Sequence, residues 1–128
     1  MKKPEDICSD FNEWPYIWMG MKEDIPYGKE ILNKMRPFIE YLIEIGLGRK
    51  TIRNHMDNLW LLGGEIIRDV SMHNDYKVLP ETRLRGAIGL DGGPYCSDLN
   101  KQERNSFDVT CRKFHKFQSL KNSNDDLK

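Results

Sequence analysis

The sequence predicts an all-α protein, a small helical bundle of four or five helices with an irregular, aromatic-rich N-terminal arm. Three observations predict it. Apolar residues recur at spacings of three and four through residues 28–45, 49–72 and 101–120, which is the period of an amphipathic helix and not of a strand. The turn-forming groups Gly46-Leu47-Gly48, His73-Asn74-Asp75 and Asp91-Gly92-Gly93-Pro94 fall between those stretches. With 128 residues, 38% of them hydrophobic and 31% charged, the chain can bury one core without disulfide or metal staples.

Residues 1–27 keep no lasting period, yet they hold Phe11, Trp14, Tyr16, Trp18 and Tyr27. So many large rings are unusual for a disordered tail, so the expectation is an arm with at most a helical turn, packed by its rings on the bundle. Its acidic residues are expected in solvent. From Gly28 the stripe Ile31, Leu32, Met35, Phe38, Ile39, Leu42, Ile43 and Ile45 predicts the first long helix. Pro37 lacks a backbone donor and crowds the preceding turn, but the stripe keeps its phase across it, so a kinked helix is expected. Gly46 then suits a left-handed stop.

Gly48 can cap a second helix in which Ile52, Met56, Leu59, Trp60, Gly63, Ile66, Ile67 and Val70 again keep helical phase. An interior glycine costs only about 1 kcal/mol against alanine, so continuity through Gly63-Gly64 to about Met72 is expected. Residues 73–97 are rich in turn signals, and the sequence leaves Arg83–Ile88 open between a helical turn and a short strand. Asn100 and Glu103 have the spacing of a capping box. Phe107, Cys111, Phe114, Phe117 and Leu120 follow at helical spacing. Together these divisions predict an arm over 1–27, a helical domain over 28–120 and a frayed tail over 121–128.

Charge and composition narrow the function classes. Lys+Arg and Asp+Glu both total 20, which argues against indiscriminate nucleic-acid affinity. The distribution is uneven: residues 1–28 carry net −3, residues 49–85 net +2 and residues 101–121 net +4. An anionic partner should therefore meet the second half of the chain. No stretch reaches the roughly 18 apolar residues of a membrane span, and no apolar segment follows the basic N-terminus, so a cytoplasmic protein is expected. Cys8, Cys96 and Cys111 are odd in number and lack C-x-x-C spacing, which predicts inert thiols.

Catalytic signatures are absent. His55, His73 and His115 form no H-E-x-x-H pattern, and no G-x-S-x-G is present. Cys111 and His115 share a helix face, but a closed zinc site needs four ligands and no second pair accompanies them. Asp91-Gly92-Gly93-Pro94 lacks the lysine and the glycine spacing of a phosphate cradle and reads as a tight turn. No catalytic residue, metal site, cofactor or small-molecule substrate is expected, and the chain is not expected to be an enzyme.

Two basic groups remain. Arg49, Lys50, Thr51, Arg53 and Asn54 gather at a helix N-terminus, where backbone N–H groups and the helix dipole favour an anion. Arg112, Lys113, Lys116 and Lys121 flank Phe114 and Phe117. Each group alone reads more readily as a solvated face, with the phenylalanines in the core. Together they make double-stranded DNA a candidate partner, with Arg49, Lys50, Thr51, Arg53, Asn54, Arg112, Lys113 and Lys116 as candidate contacts.

The segment from Met35 to Ile52 resembles the N-terminal, SAM-like core-binding domain of tyrosine recombinases of the phage-integrase type. The matching residues are Phe38, Tyr41-Leu42, Gly46-Leu47 and Thr51-Ile52, with Gly48 where the family usually has serine. The resemblance implies a small helical bundle that grips duplex DNA, with the helix beginning at Arg49 against the DNA and Arg49, Lys50 and Arg53 as contacts. It covers about a third of the chain and brings no catalytic domain, since His-x-x-Arg occurs nowhere. The expected function is a catalytically inert DNA-binding or accessory module. The competing expectation is a protein–protein interaction or small regulatory protein, with an exposed apolar patch around Trp14 or Trp18.

Overall fold

The computed structural model describes residues 3–126, and the side chains of residues 3–120. The fold is all-α. In chain order the helices are α1 (Pro4–Ile7), α2 (Trp14–Trp18), α3 (Asp24–Glu44), α4 (Arg49–His73), α5 (Pro80–Ala87) and α6 (Lys101–Asp126), with a 3₁₀ turn at Phe11–Glu13. Among the described residues one isolated bridge, Gly89 to Gly92, is the nearest approach to β-structure. No helix among them is long and apolar enough to cross a membrane.

Helix α3 begins four residues earlier than its apolar stripe suggests. Asp24 makes the difference. Its carboxylate accepts the backbone N–H groups of Gly20 (2.8 Å) and Met21 (3.0 Å) and the hydroxyl of Tyr76 (2.6 Å). The arm's acidic residues were expected in solvent, but Asp24 is wholly buried and Glu5 pairs with Arg36 at 2.9 Å. These contacts tie the arm to the bundle by polar as well as aromatic groups.

Pro37 lies inside α3, and the helix passes through it. Gly46 adopts φ +87°, and Leu47 N–H reaches back to the Leu42 carbonyl, the hydrogen bond of a left-handed helix stop. Gly48 is the N-cap of α4, as its place before Arg49 predicts. Helix α4 runs unbroken through Gly63-Gly64 because Trp18 lies on that surface. A Cβ at Gly63 would sit 2.2 Å from the Trp18 ring. Asn74, at φ 50°, closes the helix.

Arg83 to Ala87 are helical, which resolves the segment that the sequence left open. The Asn100 capping box forms as its spacing predicts, with Asn100 Oδ1 accepting Glu103 N–H at 2.8 Å and Glu103 Oε1 accepting Asn100 N–H at 3.0 Å. Helix α6 then runs six residues past Leu120 to Asp126, so the frayed tail expected from Lys121 is helical over 121–126, and its last two residues lie outside the described ones.

The core joins all these elements. Phe11 and Trp14 from the arm, Ile31, Met35, Phe38 and Ile39 from α3, Ile52, Met56, Leu59 and Leu62 from α4, and Phe107, Cys111 and Phe114 from α6 are almost wholly buried. Trp14 is therefore not a surface residue, and Trp18 is partly buried, donating its indole N–H to the Trp60 carbonyl at 3.0 Å. Trp60, expected inside, is 38% exposed. Apolar residues reach the surface beside Trp18, at Ile17, Met19 and Met72, and at a second place, at Tyr41, Ile45 and Leu120.

Candidate nucleic-acid interface

The first turn of α4 starts from a glycine cap that offers no side chain to the orphan N–H groups. Arg49, Lys50 and Thr51 on that turn are exposed. The next two candidates are committed within the fold. Arg53 binds Asp57 at 3.3 Å and the Ile7 carbonyl at 3.3 Å, so its guanidinium turns towards α1. Asn54 donates to Ser106 Oγ on α6 at 3.1 Å.

That last contact belongs to a polar seam between α4 and α6. Asn58 Nδ2 reaches Ser106 and, at 2.8 Å, Thr110 Oγ1, while His55 Nδ1 lies 2.7 Å from the same oxygen. Pairing of 55 with 110 and of 58 with 106 makes the two helices antiparallel. The seam therefore carries α6 towards the start of α4 as it continues through Lys113 and Lys116. Burial of His55, and then the charge of Lys113, push the imidazole below its ordinary value.

Lys113 and Lys116 line an open groove of about 550 Å³ between α6 and the end of α3. Its floor is Phe38, Leu42 and Phe117, and Tyr41, Ile45 and Leu120 stand along it. Phe38 stacks on Phe114 at 5.0 Å and Tyr41 meets Phe117 at 5.2 Å, so α3 and α6 run side by side in the same direction. Ile45 is four residues before Arg49. The α4 N-terminus and the two lysines of α6 thus share one end of the bundle. Arg112 is exposed on α6 one turn before Lys116 and is not among the residues lining the groove.

Among the described residues, no carboxylate comes within ion-pair distance of Arg49, Lys50, Arg112, Lys113 or Lys116. Arg36, Arg53, Arg83, Arg85 and Arg104 are each paired, with Glu5, Asp57, Asp69 and Asp75, Glu81, and Asp108 respectively. Among the described residues the other arginines except Arg68 are thus neutralised within the fold, and this group of cations is left to solvent.

The remaining reactive groups are structural. Burial pushes the Cys111 thiol up to about 12 and, with a hydrogen bond to Asp10, the Cys8 thiol up to about 11, which leaves little thiolate near neutrality. Among the described residues no three His, Cys, Asp or Glu side chains gather as a metal site. The Gly92-Gly93-Pro94 turn is clamped by α6: Gly93 N–H donates to Asp108 at 3.1 Å, and Arg104 donates to the carbonyls of Gly93 and Pro94.

Comparison with protein-family models, curated proteins and solved structures finds no match to the chain. The likeness to a recombinase core-binding domain rests on its residues alone. The groove escaped the sequence reading because Tyr41, Ile45 and Leu120 fit the same helical period as the core. Their signal was position, since all three lie near helix ends where neighbours run out.

Proposed function

We propose that the chain is a catalytically inert, cytoplasmic DNA-binding or accessory module that meets duplex phosphates with the first turn of α4. Arg49, Lys50 and Thr51 make the primary contact, and Lys113 and Lys116 flank it. The observation that carries this reading is the absence, among the described residues, of ion-pair partners for these cations in a molecule whose other arginines, Arg68 and Arg112 apart, are paired. An uncapped helix start beside them adds N–H donors and a favourable dipole. The resemblance around Thr51-Ile52 points to the same turn. Three free, buried thiols suit a reducing compartment.

The test is fluorescence anisotropy of a labelled duplex at two or more salt concentrations. Binding should weaken steeply with salt, and Arg49→Ala/Lys50→Ala should lower both the affinity and the salt slope, the latter by about 2. No binding at low salt, or a slope indifferent to that double substitution, rejects the reading. A protein-binding role has its own support in the apolar groove of α3 and α6, whose exposed Tyr41, Ile45 and Leu120 a phosphate backbone would not use.

A further inference from the structure

We propose that the groove between α3 and α6 is the contact between two copies of this chain, related by a two-fold axis that runs along the groove. Tyr41, Ile45 and Leu120 are 41%, 52% and 57% exposed, and with half-buried Phe117 they form one strip. Single exposed apolar residues are ordinary, but a contiguous strip of them over an open groove is a contact surface.

The charges beside the strip identify the occupant. On the α6 side stand Lys113 and Lys116, both exposed and without a carboxylate within ion-pair distance among the described residues. On the α3 side Glu44 lies three residues beyond Tyr41, one turn after Glu40, and both are exposed. Glu40 also acts on Arg36, so Glu44 is the freer of the two. The surface is thus apolar along its middle, basic on one edge and acidic on the other. Such a surface complements itself under one rotation only. An axis along the groove lays the α6 edge of each copy on the α3 edge of the other at the same level, so Lys116 comes opposite Glu40 and one turn from Glu44, twice. An axis across the groove stacks α3 on α3 and sets Glu44 against Glu44, which like-charge repulsion disfavours.

A two-fold along the groove also bears on DNA binding, a consequence that rests on the proposed function. Helices parallel to a two-fold axis keep their ends together, so both copies present Arg49 and Lys50 at the same end of the dimer. Two equivalent helix starts side by side suit a duplex with two half-sites. Lys116 is then answered by the partner and leaves the flank of the proposed DNA contact to Lys113, while Arg49 and Lys50 remain for phosphate.

Sedimentation equilibrium on the full chain tests the dimer without DNA. The apparent mass should rise from 15.1 kDa towards twice that value as concentration increases. Leu120→Glu and Glu44→Lys should each weaken association at least about tenfold, while circular dichroism shows an unchanged helix content. Lys113→Glu/Lys116→Glu should do the same alone, yet associate when mixed with Glu44→Lys, because the reversed charges match again. A wild-type chain that stays monomeric at its highest soluble concentration overturns the proposal, and the groove then awaits another protein. A dimer that ignores Leu120→Glu, or no rescue in the mixture, also overturns it. Arg49→Ala/Lys50→Ala should leave the dimer intact, so DNA binding and a salt slope unchanged in that variant, with normal association, refute the DNA reading alone.

Discussion

His55 and Thr110 make a buried polar contact of 2.7 Å, and their chemistry makes it sensitive to acid. Thr110 Oγ1 serves Asn58 and His55 at once, in a place where no water could replace it. Thr110→Val keeps the volume but leaves His55 Nδ1 without its partner and Asn58 with Ser106 alone, and should cost about 1–3 kcal/mol in urea unfolding. The histidine adds a pH dependence. Its folded value lies below the ordinary 6.5, so the unfolded chain binds the proton more readily. Stability from this group is complete above about pH 6.5 and is lost as pH falls from there towards the depressed folded value. Unfolding measured from pH 7.5 down to 5 should show that decline, and His55→Gln should flatten it. Glu5 acts in a lower window. Arg36, with Asn12, holds its carboxyl down to about 2, so its contribution is present above its ordinary 4.5 and disappears as pH falls towards 2.

At the scale of the element, α4 shows how two adjacent glycines differ. Gly63 is buried under Trp18, and an added methyl would overlap the ring at 2.2 Å. Gly64 meets the same indole no closer than 3.4 Å, an ordinary contact. Gly64→Ala should therefore gain up to about 1 kcal/mol from helix propensity. Gly63→Ala should lose about 1–3 kcal/mol, because displacing the ring outweighs that gain. Thermal unfolding followed by tryptophan fluorescence separates them, since only Gly63→Ala should also change the folded-state emission. Equal effects at both positions would mean that Trp18 does not sit on α4 as described.

At the scale of the whole molecule the arm is part of the fold. Phe11 and Trp14 are as buried as any residue of the long helices, and Arg36, Tyr76 and Trp60 hold Glu5, Asp24 and Trp18 by hydrogen bonds. A chain lacking residues 1–19 should expose Ile31, Met35 and neighbouring core side chains. It should unfold at a markedly lower temperature and with less cooperativity than the intact protein, as read by circular dichroism. The same scale decides the interface. Arg49, Lys50, Lys113 and Lys116 come from two distant stretches of chain, and the antiparallel seam of α4 and α6 brings them to one end. Their lack of ion-pair partners among the described residues is a property of the folded surface, because the overall balance of 20 cations and 20 carboxylates says nothing about where each lies.

The sequence by itself determined the helical class, the phases of α3, α4 and α6, the left-handed stop at Gly46 and the capping box at Asn100. All of these follow from local forces, namely the period of side chains about a helix axis and the hydrogen bonds of a few adjacent residues. Tertiary structure decided the burial of Asp24, the reason α4 survives two glycines, the commitment of Arg53 and Asn54 to partners within the fold, and the groove beside Lys113 and Lys116. Each of those depends on which side chain from a remote segment arrives at a given face. Helical period reports that a residue shares a stripe with the core, but only the packing of neighbouring helices decides whether anything covers it.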